Sequence, residues 1–369
     1  MSASPPRVLV AVLDWGLGHA TRCVPIIDIL LAQGVEVWLA GAGRGAEFLQ
    51  LRYKNTPFLK LSPYKVRYGK NSFALWGVLN QIPRLISVIQ KESQELLQYQ
   101  QQYHFQAIIS DNRYGIRHKT VKTAFICHQL APIPWPNWRP LHWLVFQLHK
   151  AWLRRFDQLW VPDFADENQL SGQLSHRFSW PEKIQYLGPL SRFAQGTNTS
   201  VRRSRNLPQE APEILILLSG PEPQRSHFEQ QILAQCAGRK ERIWLVQGKP
   251  ERENYEICNG CHLISFLDAE DLRWALTEAR VVFSRSGYSS LMDYAALGLK
   301  QVVLIPTPGQ TEQEYLARRL DKQKIALYQR QSRLDLAEAL EAVSNYQGFT
   351  PLAGDKEALQ SAIDSLLST

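Results

Sequence analysis

Ser286-Gly287-Tyr288-Ser289-Ser290 is a run of small residues set between the apolar stretch Val281–Ser284 and a segment that stops at Gly298. Gly and Ser opening a helix present backbone N–H groups and the positive end of the helix dipole, which together bind a phosphate without a metal. Asp293, one turn further on, can reach ribose hydroxyls, so the segment reads as a nucleotide-diphosphate site. A second group with chemistry follows the first apolar run of the chain, at Gly16-Leu17-Gly18-His19. An imidazole titrating near neutrality can take a proton from an attacking hydroxyl, which makes His19 a candidate general base. The competing reading has His19 capping a helix turn or donating to a nearby carbonyl. Asp111 ends another apolar run, and an Asp–His pair would fix the ring tautomer and stabilise the imidazolium. Asp111 could instead cap a turn or pair with Arg113 or Arg117.

The glycine loop does not suit a nicotinamide cofactor. The dinucleotide fingerprint needs a third small position and an acid ending the second strand. Here Thr21 holds the third glycine position, and the second strand ends Leu39-Ala40-Gly41. A hydride-transfer enzyme is disfavoured.

Ser284, Arg285 and Gly287, with Asp293 where Glu is usual, resemble the donor motif of GT-B glycosyltransferases. The closest likeness is to the family-28-like group that includes the N-acetylglucosaminyltransferase forming lipid II. Gly16, Gly18 and His19 resemble the first loop of the same enzymes, where the glycines make room for acceptor and sugar. The resemblance implies further site residues. Ser219 and Gly220 would lie near the diphosphate, with Arg225 as a two-pronged phosphate contact or, alternatively, a solvated Arg on a rigid Pro turn. Gln313 and Glu314 would stand at the family's Gln pair and hold sugar hydroxyls, with Gln310 as an added candidate. His128 would line the acceptor side.

These groups need a scaffold that brings strand ends together. Val8–Leu13, Val35–Ala40, Ala107–Ser110 and Thr123–Cys127 read as buried parallel strands, with an amphipathic helix over Thr21–Gln33. The pattern restarts at Ile214–Leu218, Arg242–Val246, Val281–Ser284 and Val302–Ile305. Capping-box spacing at Ser290/Asp293 and Thr311/Glu314 predicts helix starts there. The expected fold is therefore α/β. By resemblance it is GT-B: two Rossmann-like domains with parallel sheets facing a central cleft. Residues 1–195 form the acceptor domain, 196–210 a linker, 211–350 the donor domain, and 351–369 a helix crossing back to the first domain.

Composition is that of a globular protein, with 44% hydrophobic and 21% charged residues in 369. The N-terminal segment has no leader-like pattern and no apolar run is long enough to span a bilayer, so a cytoplasmic location is expected. A net charge of +8 suits nucleic acid, acidic lipid or a nucleotide sugar alike. The resemblance selects the nucleotide sugar, with a hydroxyl acceptor and no nucleic acid. Cys258-Asn259-Gly260-Cys261 has no second pair and reads as reduced thiols in a turn. No D-x-D or ligand cluster is present, so neither cofactor nor metal is expected. Residues 135–156 mix Trp with Arg and Lys, which fits either internal packing or contact with an anionic membrane.

The reading is a metal-independent inverting glycosyltransferase of the hexosyl or N-acetylhexosaminyl class, using a UDP-sugar. Its acceptor could be lipid-linked or part of an envelope glycan. A non-hydrolysing UDP-sugar 2-epimerase and a non-catalytic nucleotide-sugar-binding protein are the alternatives.

Overall fold

The computed structural model describes residues 5–64, 82–134, 139–177, 184–193, 207–220, 222–249 and 254–368. Residues 135–138 of the aromatic stretch, 196–206 of the expected linker and Pro221 lie outside the described residues. The chain divides into two compact units, Met1–Arg192 with Ala353–Thr369, and Phe193–Leu352.

In the first unit the elements are β1 (Arg7–Val12), α1 (Leu17–Ala32), β2 (Glu36–Gly41), α2 (Gly43–Arg52), β3 (Phe58–Lys60), α3 (Ile82–Tyr103), β4 (Ala107–Asp111), β5 (Lys122–Ile126), α4 (Arg139–Leu153), β6 (Gln158–Val161), α5 (Gln173–His176) and β7 (Ile184–Tyr186). The strands form one seven-stranded sheet in the order β3-β2-β1-β4-β5-β6-β7. Every neighbouring pair is parallel. Five of six β1 residues are buried, as expected for a strand covered on both faces. Chain direction across the sheet reverses between β1 and β4, where Val12 pairs with Asp111. Loops leaving such a switch point diverge, which leaves room for a ligand at the carboxyl edge.

The second unit repeats the plan with β8 (Ile214–Leu217), α6 (Gln224–Cys236), β9 (Ile243–Val246), β10 (Tyr255–Cys258), β11 (Cys261–Ile264), α7 (Ala269–Glu278), β12 (Val281–Ser284), α8 (Tyr288–Leu297), β13 (Val302–Leu304), α9 (Thr311–Lys322), β14 (Leu327–Tyr328) and α10 (Leu336–Ala342). Its sheet order is β10-β11-β9-β8-β12-β13-β14. The switch point lies between β8 and β12, where Leu217 pairs with Ser284. The sheet is not wholly parallel: β10 runs antiparallel to β11, and Cys258 and Cys261 face each other across their turn. Asn259 and Gly260 take the positive φ values of 50° and 80° that so tight a turn requires. Ile216, Phe283 and Val303 from the sheet pack with Phe228 and Ile232 of α6 and Leu336 of α10 in this unit's core.

The last helix, α11 (Lys356–Leu367), belongs to the first unit although its chain leaves the second. Asp355 caps it by accepting from the Ala358 N–H at 2.9 Å. Leu359, Ala362, Ile363 and Leu366 are buried. Gln33 and Gln158 anchor its far end through Asp364 and Ser365, each at 3.1 Å.

Three helix starts differ from expectation. α1 begins at Leu17, a turn before Thr21, because burying Ala20, Cys23 and Val24 outweighs the poor helix propensity of Gly18. α8 begins at Tyr288 with Gly287 as N-cap, so Ser290 sits inside the helix and forms no capping box. α9 is capped by Gln310, with Thr311 its first helical residue. Gly298, in the left-handed region at φ 65°, ends α8 as the sequence predicts.

Candidate active site

His19 stands in the first turn of α1, after Gly16, whose φ of 85° turns the chain from the strand into the helix. Its Nδ1 lies 2.8 Å from Oδ1 of Asp111, the last residue of β4. Among the described residues no hydrogen bond engages its Nε2, and 14% of the side chain is exposed. The two residues proposed as base and orienting acid therefore meet at the switch point of the first sheet. Arg22, one turn along α1, completes the group. Its Nε donates to Asp111 Oδ2 at 2.7 Å and its Nη2 to Oδ1. Its Nη1 lies 2.9 Å from Nδ1 of His128, beyond the end of β5. The Cys23 thiol adds a 3.3 Å bond to Asp111 Oδ2.

Asp111 is fully buried. Burial alone would raise its pKa, but Arg22 and His19 hold the carboxyl well below the usual carboxylate range. Burial pushes His19 below the ordinary imidazole value; Asp111 opposes the drop and Arg22 adds to it. The ring is thus neutral at pH 7, the state a general base needs. The alternative ion pair of Asp111 with Arg113 does not form. Arg113 instead donates to the Val12 carbonyl at 2.7 Å and to Glu92, itself held by the Tyr64 hydroxyl at 2.8 Å. Burial pushes Glu92 up to about 6 against the pull of Arg113. This second buried network fixes the end of β1, from which the glycine loop departs.

In the second unit the candidate residues gather at the carboxyl edges of β8, β12 and β13. Ser219 and Gly220 are exposed after β8, and Gly220 has φ 100° with Thr307 Oγ1 close to where a Cβ would stand. Gly287 and the half-buried Ser289 and Ser290 form the start of α8, and an added Cβ at Gly287 would meet open space. The first N–H groups of a helix lack intrahelical acceptors, so this end suits an anion. Ser286 is buried and its Oγ donates to the Gln313 carbonyl at 2.8 Å. Gln313 Oε1 accepts from the Thr307 N–H at 2.9 Å, which ties α9 to the loop after β13. Gln310 is half-buried beside it, and Glu314 faces Arg318 at 3.6 Å. Asp293 lies on the second turn of α8 and is 5% exposed.

Two arginines have different surroundings. Arg225 is 7% exposed, held by Glu222 and by the Gln247 carbonyl at 2.9 Å. Arg285 is 1% exposed. It donates to the carbonyls of Ile305, Pro306 and Gln224 at 3.0, 3.1 and 3.2 Å, and to Gln331 Oε1 at 2.8 Å. Its guanidinium lies 4.3 Å from the Phe228 ring centroid, and burial lowers its pKa to about 9. Arg285 therefore clamps the three loops that carry the other candidates.

Among the described residues no group of three or more His, Cys, Asp or Glu side chains is placed to hold a metal ion. No described helix is long and apolar enough to cross a membrane.

Residues 212–362 match the family model of the Glycosyltransferase family 28 C-terminal domain. Over the whole chain, a kitacinnamycin glycotransferase superposes with a TM-score of 0.64 at 13% identity, covering 98% of this chain and 94% of the other. MurG of Acinetobacter baumannii gives 0.55 at 14% identity, covering 98% and 99%. UGT2 of Phytolacca americana, complexed with UDP-2-fluoro-glucose and pterostilbene, gives 0.57 at 14%, covering 100% and 94%. The chain has the GT-B fold. No curated protein matches it in sequence.

The match over residues 212–362, on a GT-B scaffold, does not favour the 2-epimerase or the non-catalytic reading. Within this GT-B chain, sequence reasoning missed Arg22 and the clamping role of Arg285. The signal for Arg22 was present, since a lone Arg precedes the unbroken run Cys23-Val24-Pro25-Ile26-Ile27 on a helix that must be buried. A charge in that position requires a buried partner.

Proposed function

We propose that this GT-B protein transfers a hexosyl or N-acetylhexosaminyl group from a UDP-sugar to a hydroxyl acceptor with inversion and without a metal. The single observation that carries the reading is the 2.8 Å His19–Asp111 pair at one switch point of a chain whose residues 212–362 match the glycosyltransferase family 28 C-terminal domain model. His19 Nε2 takes the acceptor proton while the oxygen attacks the anomeric carbon from the face opposite the leaving diphosphate. Asp111 holds the ring and stabilises the imidazolium. Gly16, Gly18 and His128 line the acceptor side.

On the second unit, Ser286, Gly287, Ser289 and Ser290 receive the diphosphate at the start of α8, joined by Ser219 and Gly220. Arg225 contributes by exchanging Glu222 for a phosphate oxygen. Asp293 holds ribose, and Gln310, Gln313 and Glu314 hold the sugar. The bound UDP-2-fluoro-glucose of the Phytolacca enzyme supports a UDP donor. The narrower version of the reading is a lipid II-like reaction on an envelope glycan at the cytoplasmic membrane face. It draws support from α4, which exposes Trp143, Leu144 and Leu148 at 61%, 49% and 58%.

Calorimetric titration of UDP into the full chain in EDTA tests the donor site. Binding is expected, and Asp293→Asn should weaken it by about 1–3 kcal/mol, the scale of a charged hydrogen-bond partner. Binding that appears only with Mg²⁺ would overturn the metal-free mechanism, and an unchanged affinity in Asp293→Asn would remove the ribose role.

A further inference from the structure

We infer that Arg22 is a positioning residue that holds His19 and His128 in opposite tautomers, making His19 Nε2 a proton acceptor and His128 Nε2 a proton donor. Its part in transfer rests on the reading of His19 as base; the tautomer assignment does not.

The argument begins with the chemistry of the guanidinium. Every guanidinium N–H is a donor, and the group stays protonated in proteins. His128 Nδ1 lies 2.9 Å from Arg22 Nη1, so that nitrogen must present a lone pair. The ring proton of a neutral His128 then resides on Nε2, where the Gln129 side-chain amide, 3.4 Å away, can turn its oxygen to accept it.

His19 is sorted the other way. Its Nδ1 lies 2.8 Å from Asp111 Oδ1 and 3.0 Å from Arg22 Nη2. Arg22 Nη2 already donates to the same Oδ1, and Asp111, fully buried, has only acceptors to offer. The shorter contact is satisfied by an Nδ1–H donated to the carboxylate, which leaves the lone pair of His19 on Nε2. Arg22 is 1% exposed and bidentate on Asp111 through Nε and Nη2, so none of these distances can relax by swinging the side chain into water. One buried cation thus fixes the proton positions of two rings that leave different strands.

The arrangement also sets the strength of the base. The titratable and charged groups facing His19 are Asp111 at the end of β4, Arg22 and Cys23 on its own helix, and His128 beyond β5. A lone Asp–His pair would raise the imidazole pKa through the carboxylate charge. Here Arg22 cancels that charge at the carboxylate itself. With burial the larger influence and Arg22 adding to it, the His19 imidazole lies below its ordinary value despite the carboxylate.

Two-bond ¹H–¹⁵N spectra of the ¹⁵N-His-labelled full chain, read between pH 5 and 8, test this, with signals assigned by His19→Gln and His128→Gln. The expected result is an Nδ1–H pattern for His19 and an Nε2–H pattern for His128 in the wild-type protein. In Arg22→Gln the His19 midpoint should rise by about one unit or more, and His128 should show mixed tautomers. Arg22→Lys retains the charge without the fork, so His19 should stay low while His128 still mixes. An Nδ1–H pattern for His128 in the wild-type protein would overturn the inference, and that spectrum needs no variant to fold. A His19 midpoint unmoved in a folded Arg22→Gln protein would overturn the control of basicity. Should His19→Ala prove active in transfer, the proposed function fails while these spectra still decide the tautomers.

Discussion

Asp111 accepts from His19 and from Arg22, and the two donors pull the chemistry in opposite directions. The carboxylate favours a charged imidazole, whereas the guanidinium cancels that field and burial disfavours the charge outright. The net direction is downward, so the neutral, proton-accepting ring persists below the ordinary value of 6.5. The acid limb of kcat/KM should therefore fall at a pH below that of a free imidazole, and an acid limb above it would contradict the assignment. His19→Ala should lower kcat about 10²–10⁴-fold, the usual contribution of a positioned base. UDP affinity should hold, because the proposed donor contacts are residues of the second unit; near-normal turnover in the variant would remove His19 from the mechanism. Asp111→Asn is a different kind of change: it leaves Arg22 buried without its carboxylate, a loss of about 3–5 kcal/mol in comparable buried pairs. Its thermal stability must be measured before its activity is interpreted. His19 and Asp111 were legible in the sequence because each follows an apolar run at a position where parallel strands end. Arg22 signalled only that it needs a buried partner; which partners was not legible, because Asp111 and His128 lie far away in sequence. For Arg285 the motif was visible but its role was not, since the sequence does not say whether an Arg turns toward solvent or beneath its own loop.

Helix α4 carries two faces with opposite consequences. His142, Phe146, His149 and Leu153 recur at helical spacing and are buried, while Trp143, Leu144 and Leu148 are exposed. The buried face explains a pH response. His149 Nε2 lies 2.8 Å from the Tyr114 hydroxyl and its Nδ1 3.3 Å from the Leu130 carbonyl. Burial lowers its pKa to about 4. The unfolded chain then binds the extra proton first, so this contribution is complete above 6.5 and is lost as pH falls through 4. A drop of about 2.5 units corresponds to roughly 3 kcal/mol at most. His149→Gln should flatten the dependence of urea stability between pH 6.5 and 4, and an unchanged slope would show that His149 does not titrate with unfolding. The exposed face bears on the acceptor. Trp143 and Leu148, with Arg154 and Arg155 exposed beyond them, should give salt-sensitive flotation with anionic vesicles, reduced by a Trp143→Ser, Leu148→Ser double change. Protein that never floats at low salt would assign the face no membrane role. The sequence could not divide these faces, because Trp and Leu at helical spacing look alike whether packed or exposed. The same limit applies to strands: the central ones, β1, β4, β8 and β12, announce themselves as continuous apolar runs. β3, β7 and β14 are three residues or fewer, and β10 is largely exposed, so each lacks that signature.

The two units each have a core of their own, yet the first is completed only by the last segment of the chain. Leu359, Ala362, Ile363 and Leu366 of α11 are buried in a unit whose other residues end at Arg192. An apolar helical stripe near the terminus was visible in the sequence, but its place against the first unit was expected only by resemblance, because the contact joins residues more than 200 positions apart, as in Gln158–Ser365. Completion by a distant segment has a measurable consequence. Ile363 is fully buried, so Ile363→Ala should cost about 2–5 kcal/mol through lost transfer energy and the cavity left behind. That loss should fall on the first unit, whose core contains the cavity. Hydrogen exchange should then speed up in peptides covering β1, β4 and β5, while those covering β8 and β12 keep wild-type protection. UDP affinity should be retained under conditions where the first unit has begun to open, since the proposed donor contacts are made by second-unit residues alone. Equal loss of protection in both sheets would mean that the units unfold as one cooperative body. Unchanged protection in β5 would show that α11 adds little to the stability of the sheet it covers.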